Sequence, residues 1–254
     1  MGEISYNLED RVVVITGGSR GIGLALGKSL LEQKAKIVIC GRKQENLDQA
    51  QAELGDPDNS VAVKAHIALE EDVEKLFETA LKQFGTVDIL INNVGMNLIT
   101  GSFVETDLPV WQKIIDSNLT GAFLCSRRAS RIMSEKKRGK IVSISSVAGR
   151  RAAPAMGIYG IAKAGIEMMT KVLAMELAPL NIQVNAVAPG MVRTDFSKPF
   201  WSNDEIHAQI IASIPLGRIA EPRDVIHPVL FLCSDGSDYI TGHTIVVDGG
   251  STAV

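Results

Sequence analysis

At 254 residues, 46% hydrophobic and 22% charged, the chain has the composition of a globular protein with a sizeable core, as one large α/β domain or two small ones. A formal net charge of −3 argues against general nucleic-acid binding, no apolar run reaches the roughly 18 residues that span a bilayer, and 1–10 is acidic, without the basic-then-apolar pattern of a secretory leader. Three widely spaced cysteines in apolar surroundings (Cys40, Cys125, Cys233) and four scattered histidines form no disulfide or metal pattern, so the expectation is a cytoplasmic protein with buried thiols and no metal.

From the N-terminus onward, β-rich runs alternate with helical ones. The run 12–16 (VVVIT) predicts a strand and ends in Gly17-Gly18-Ser19-Arg20-Gly21-Ile22-Gly23, which opens a helix over 22–33 with Leu24, Leu26, Leu30 and Leu31 on its apolar face. A strand that ends in glycines and turns into a helix makes an anion site. The glycines allow close backbone approach, and the helix N-terminus offers unpaired N–H groups and a favourable dipole. Further strands are predicted at 36–40, 61–65, 87–92, 140–145, 181–187 and 243–247, with helices over 43–54, 70–84, 107–135, 158–178 and 222–234. Continuous apolar strands separated by helices imply a parallel sheet covered on both faces, and no repeat or linker divides the chain. The one long irregular region is 189–221, with Phe196, Phe200, Trp201, Ile206, Ile210 and Ile211 among polar residues. It reads either as a lid over a ligand or as a short helical pair packed on the body.

Only one of the three tyrosines has a lysine four residues later, Tyr159 with Lys163. On a helix these side chains lie on one face, and a cation there lowers the phenol's pKa toward proton exchange near neutrality. Ser146, thirteen residues upstream, falls just past the strand 140–145, at the strand end where ligands of parallel sheets bind. Ser143 and Ser145 share the opposite facing within that strand, so Ser146 is the preferred hydroxyl.

With these pieces the chain resembles the short-chain dehydrogenase/reductase family over essentially its whole length. The resemblance rests on the glycine run from Thr16 to Gly23, on Asp88-Ile-Leu-Ile-Asn-Asn-Val-Gly95, Asn118, Ser146, Tyr159 with Lys163, and Pro189-Gly190 with Thr194. It implies a single doubly wound Rossmann-type α/β domain with a seven-stranded parallel sheet, a nicotinamide cofactor and hydride transfer between an alcohol and a carbonyl. It also implies a homotetramer built through 107–135 and 158–178. Tyr159 would be the general acid in reduction and the base in oxidation. Lys163 would lower its pKa and hold the nicotinamide ribose, and Ser146 would polarise the substrate oxygen. Asn118 would anchor a water leading from Lys163 to solvent; a mid-helix Asn also suits bonding to a distorted carbonyl. Gly17, Ser19, Arg20, Gly21, Ile22, Gly23, Asn93, Gly95, Pro189 and Gly190 would border the cofactor, with Thr194 on its carboxamide.

The choice of dinucleotide rests on the end of the second strand, which runs into Gly41-Arg42-Lys43 with no acid to bind a free 2′-hydroxyl. Arg20 and Arg42 together suit a 2′-phosphate, so NADP(H) is expected, with NAD(H) as the alternative. Two departures from the family pattern affect this pocket: His66 stands where Asp commonly meets the adenine, and Val94 replaces Ala. The substrate pocket is expected from the loop after Ser146 and from the lid, with Arg150, Ala153, Met156, Phe196 and Trp201. Arg150 and Arg151 would either greet an acidic thioester or lie solvated at a loop tip. The basic stretch Arg127, Arg128, Arg131, Lys136, Lys137, Arg138 and Lys140 would either face an acidic carrier protein or form solvated helix ends. The resulting expectation is an NADP(H)-dependent reductase of a ketone or 3-oxoacyl thioester. An NAD-dependent secondary-alcohol or 3-hydroxyacyl dehydrogenase and a catalytically silent NADP-binding subunit or sensor are the alternatives.

Overall fold

A computed structural model describes residues 5–98 and 102–253, so the first four residues of the acidic N-terminal stretch lie outside it. All seven expected strands form: β1 (Val12–Thr16), β2 (Lys36–Gly41), β3 (Ser60–Lys64), β4 (Ile89–Asn92), β5 (Gly139–Ile144), β6 (Ile182–Pro189) and β7 (Thr244–Val247). They pair in parallel in the order β3-β2-β1-β4-β5-β6-β7. The connecting helices are α1 (Gly21–Glu32), α2 (Gln44–Leu54), α3 (Glu70–Phe84), α4 (Leu108–Ile115), α5 (Gly121–Lys136), α6 (Gly157–Leu177), α7 (Lys198–Trp201), α8 (Asp204–Ala212) and α9 (Pro222–Cys233).

Strand alternation explains why the apolar runs are continuous. Val13 and Ile15 of β1, Ile37 and Ile39 of β2, and Ile89 and Ile91 of β4 pack with Leu26 and Leu30 of α1 and Val225 and Val229 of α9. The intervening Val14, Val38 and Leu90 face the other way, onto Leu76 and Phe77 of α3 and Cys125 and Ala129 of α5. The central strands β1 and β4 therefore have two dry faces, while the edge strand β3 leaves Lys64 exposed. Chain order reverses between β1 and β4, so the crevice beyond their C-terminal ends is where a doubly wound sheet receives a ligand.

One element differs from expectation. The helix expected over 107–135 is divided by a π-helical turn, Asp116–Thr120, between α4 and α5. The irregular segment 189–221 contains α7 and α8. Its base is fixed to itself: Val192 bridges Ala220, and the Arg193 N–H donates to the Ala220 carbonyl (2.8 Å). The helical pair expected as one of two readings is present.

Candidate active site

A cleft of about 520 Å³ opens along the C-terminal ends of the strands, from Arg42 past the glycine turn to Tyr159. Its floor is the β1–α1 turn. Gly21 has φ +56°, a conformation that side chains disfavour, and a Cβ on Gly23 would collide with the Gly17 carbonyl. No side chain caps the N-terminus of α1, so its first N–H groups keep their capacity for an anion. The sequence requires this arrangement: an apolar strand that must stop, glycines that alone tolerate the turn, and Leu26 and Leu30 that pin the helix behind it.

Asn93, at the end of β4, holds the turn in place. Its Nδ2 donates to the carbonyls of Thr16 (3.0 Å) and Gly17 (3.1 Å), and its N–H donates to Thr16 Oγ1. Its amide thus braces the turn, while the residue still borders the cleft.

At the far end, Tyr159 lies in the first turn of α6 and is buried. Lys163, one turn later, sits with Nζ 5.5 Å from the Tyr159 ring centroid and donates to the carbonyls of Ile144 (2.9 Å) and Val94 (3.4 Å). Burial pushes the Tyr159 hydroxyl up to about 12, with the adjacent Ser146 hydroxyl pulling it down. The same burial lowers Lys163 to about 8. Burial thus dominates at both groups and drives each toward its neutral form. Ser146 follows β5, with its Oγ accepting the Ala148 N–H of a short 3₁₀ turn (3.2 Å). Ser143 is buried against Asn92, and Ser145 faces α6.

Asn118 lies in the π-helical turn and is buried. Its Nδ2 donates to the carbonyls of Met96 (2.7 Å) and Ile114 (2.8 Å), and its Oδ1 accepts the Met96 N–H (3.1 Å). Both amide protons are taken up. The side chain thus clamps the chain after β4, and its bond to the Ile114 carbonyl fits the distorted-carbonyl reading.

Arg20, Arg42, His66, Thr194 and Phe196 also line the cleft. No carboxylate of the described residues pairs with Arg20 or Arg42. Lys43 and Asn46 join them, side chains the sequence reading left unassigned; Lys43 stands just before α2 and Asn46 in its first turn, close after Arg42 in the chain. His66 Nδ1 accepts the Ala68 N–H (3.3 Å), which leaves Nε2 as the donor of the neutral ring, so this position gives a hydrogen bond where a carboxylate would take one. Pro189 and Gly190 lie behind the lining, with Gly190 packed against Asp248.

The substrate residues separate. Phe196 stacks obliquely on Tyr159 (5.9 Å between ring centroids), and Met156 packs with Tyr159 and Ile114. Trp201 turns away from the cleft: its Nε1 donates to Ser197 Oγ (2.9 Å), and Arg193 covers its ring. Ala153 lies half-buried in the loop before α6. Arg150 neither enters the cleft nor lies free at a loop tip, because it is ion-paired with Glu167 (3.0 Å). Arg151 donates to the Ser251 carbonyl (2.8 Å). In the basic stretch, Arg127 and Arg128 pair with Glu70 and Glu74, Lys136 with Asp88, Arg138 with Asp235 and Lys140 with Asp238.

Comparison with known proteins agrees with this geometry. A family model described as Enoyl-(Acyl carrier protein) reductase matches residues 17–252. Dehydrogenase/reductase SDR family member 4 of Bos taurus is 38% identical over 245 residues, 96% of this chain and 88% of that protein. Dehydrogenase/reductase SDR family member 2, mitochondrial, of Homo sapiens is 38% identical over 246 residues, again 96% and 88%. The solved structure of a provisionally named gluconate dehydrogenase from Agrobacterium tumefaciens superposes with a TM-score of 0.93 at 34% identity, covering 99% of this chain and 100% of that one.

Proposed function

The chain belongs to the short-chain dehydrogenase/reductase family, oxidoreductases of CH–OH and C=O groups that use a nicotinamide cofactor, and we propose that it is an NADPH-dependent reductase of free, mostly apolar carbonyl compounds. The observation that carries this reading is the placement of Tyr159, a buried phenol with Ser146 and Lys163 beside it at the end of a glycine-floored cleft.

The cleft fits the dinucleotide. Backbone N–H groups of Gly21 and Ile22 would hold the diphosphate at the uncapped end of α1, and Arg20, Arg42 and Lys43 would hold a 2′-phosphate. Ser19, His66 and Asn93 would border the adenosine half, and Gly95, Lys163 and Thr194 the nicotinamide half. When bound, the cofactor supplies the hydride. The chain supplies position and a proton. Ser146 Oγ donates to the substrate oxygen, and Tyr159 transfers its proton to that oxygen as it gains negative charge. Lys163 holds its charge below about pH 8 and stabilises the phenolate left behind. Phe196 over Tyr159, with Met156 beneath, offers the substrate an apolar wall.

Ion pairing of Arg127, Arg128, Lys136, Arg138 and Lys140, together with Arg150 on Glu167, leaves these cations engaged by carboxylates of this chain. That favours a free ketone or aldehyde over a carrier-bound 3-oxoacyl thioester. Residues 189–221 act as the lid of a single domain. Buried, unpaired Cys40, Cys125 and Cys233 suit a reducing, cytoplasmic setting. No helix among the described residues is long and apolar enough to cross a membrane. Ile161, Met168, Val172 and Met175 form an exposed apolar stripe on α6, which supports a homotetramer.

NADPH oxidation followed at 340 nm with small ketones, quinones and 3-ketoacyl thioesters tests the reading. Turnover of free carbonyls that is lost in Tyr159→Phe, with NADPH binding retained, is the expected result. NADPH binding without turnover of any of these would replace it with the silent cofactor-binding subunit.

A further inference from the structure

Ser146 and Tyr159 can serve one oxygen only if the loop after β5 is held in register with α6, and residues 151–156 between them form no helix or strand. The fastening joins Ser145 at the cleft wall to Glu167 and Arg150 outside the lining. Glu167, one turn beyond Lys163 on α6, accepts from Ser145 Oγ (3.1 Å) and from Arg150 Nε at both carboxylate oxygens (3.1 and 3.0 Å). Ser145 Oγ also lies 3.1 Å from the Lys163 carbonyl. Between these anchors the 3₁₀ turn rests directly on the helix backbone: a Cβ on Gly149 would stand 2.7 Å from the Ala164 nitrogen, and one on Gly160 would stand 2.6 Å from the Ala148 carbonyl.

We propose that Glu167, with Arg150 as its partner, is a positioning residue that ties both ends of the Ser146 turn to the helix carrying Tyr159 and Lys163. One carboxylate reaches Ser145 and Arg150, which bracket Ser146 and its turn, so it fixes the separation of the two groups that meet the substrate oxygen. The pair is half-exposed on the arginine side and therefore adds little to global stability; its effect is geometric. A displacement of about 1 Å between reacting groups costs up to about a hundredfold in rate.

The inference rests on the reductase reading, and the experiment separates the two. Glu167→Gln, Arg150→Met, the double variant and Arg150→Lys are compared with the wild type on a ketone that the wild type reduces. NADPH affinity is measured by fluorescence, and the pH profile is taken in the oxidation direction. Each of the first two variants should lose about tenfold or more in kcat, with NADPH affinity within about twofold of wild type. The double variant should be no worse than the poorer single, and Arg150→Lys should recover most of the loss. Because Ser146 lowers the Tyr159 pKa, a displaced turn should move the oxidation midpoint to higher pH, which a loss of folded protein would not do. Wild-type kcat and midpoint in both single variants, or additive losses at an unchanged midpoint, would overturn the positioning role. A wild type that binds NADPH but reduces no carbonyl would overturn the reductase reading instead.

Discussion

At the residue scale, the chemistry depends on what burial does to two side chains. Lys163 has a folded pKa of about 8 against 10.5 when exposed, so between those values the unfolded chain binds more protons than the folded one. Its contribution to stability therefore grows with pH across that window and is lost as pH falls through about 8. Tyr159 has the opposite sign, and its raised value contributes below pH 10 and is lost as pH climbs to about 12. Melting of wild type and Lys163→Met from pH 7 to 10 isolates the lysine: the wild type should gain on the variant by about 3 kcal/mol over that range. A gap that stays constant would show that the ammonium is solvated. Selectivity is argued at the same scale. Arg42 faces the cleft without a carboxylate partner among the described residues, so Arg42→Asp should invert the ratio of NADPH to NADH kcat/KM by about a hundredfold or more, since it removes a cation and offers an acceptor to a 2′-hydroxyl. An unchanged ratio would end the NADP assignment.

At the scale of elements, the π-helical turn links the long helix to the active site. A one-residue expansion of the helical ladder frees the Ile114 carbonyl, and Asn118 takes it while gripping Met96 by both its N–H and its carbonyl. Asn118→Ala removes three hydrogen bonds from a buried site and leaves their partners unsatisfied. It should cost about 2–4 kcal/mol of stability and release the chain after β4 where it borders the cleft. Chemical denaturation measures the first effect, and a fall in kcat below the melting range measures the second. Here the limits of the sequence are visible. The central strands were readable because they are buried on both faces, as Val12 to Thr16 is throughout. The π-helical turn was not, since Asp116 to Thr120 has ordinary helical composition and only the tertiary contact to Met96 selects the wider turn. Tyr159 and Lys163 stood out as an i, i+4 pair and Ser146 as the hydroxyl just past β5, while their roles came from the family resemblance. Arg150 and Trp201 were not, because their directions are set by Glu167 and by Ser197 with Arg193, partners distant in sequence or in orientation.

For the whole molecule, the surface is least like that of a monomer on α6. Ile161, Met168, Val172 and Met175 recur at steps of seven, four and three, so they share one face, and Met175 is 80% exposed. Phe123 of α5 and Leu108 of α4 are exposed on the neighbouring helices of the same layer. A helix apolar on its inner face needs no second apolar stripe unless another surface covers it. α6 also carries Tyr159, Lys163 and Glu167, so subunit contact would brace the helix that sets the site. Met168→Glu with Val172→Glu places two like charges one turn apart in the stripe, far from the cleft lining. Light scattering after size exclusion should then show a smaller species than the wild type gives, with a lower melting temperature at dilute protein. Activity should fall with it, through looser alignment of α6, and should recover in part at high protein concentration. An unaltered mass in the double variant would overturn the role of this stripe in assembly.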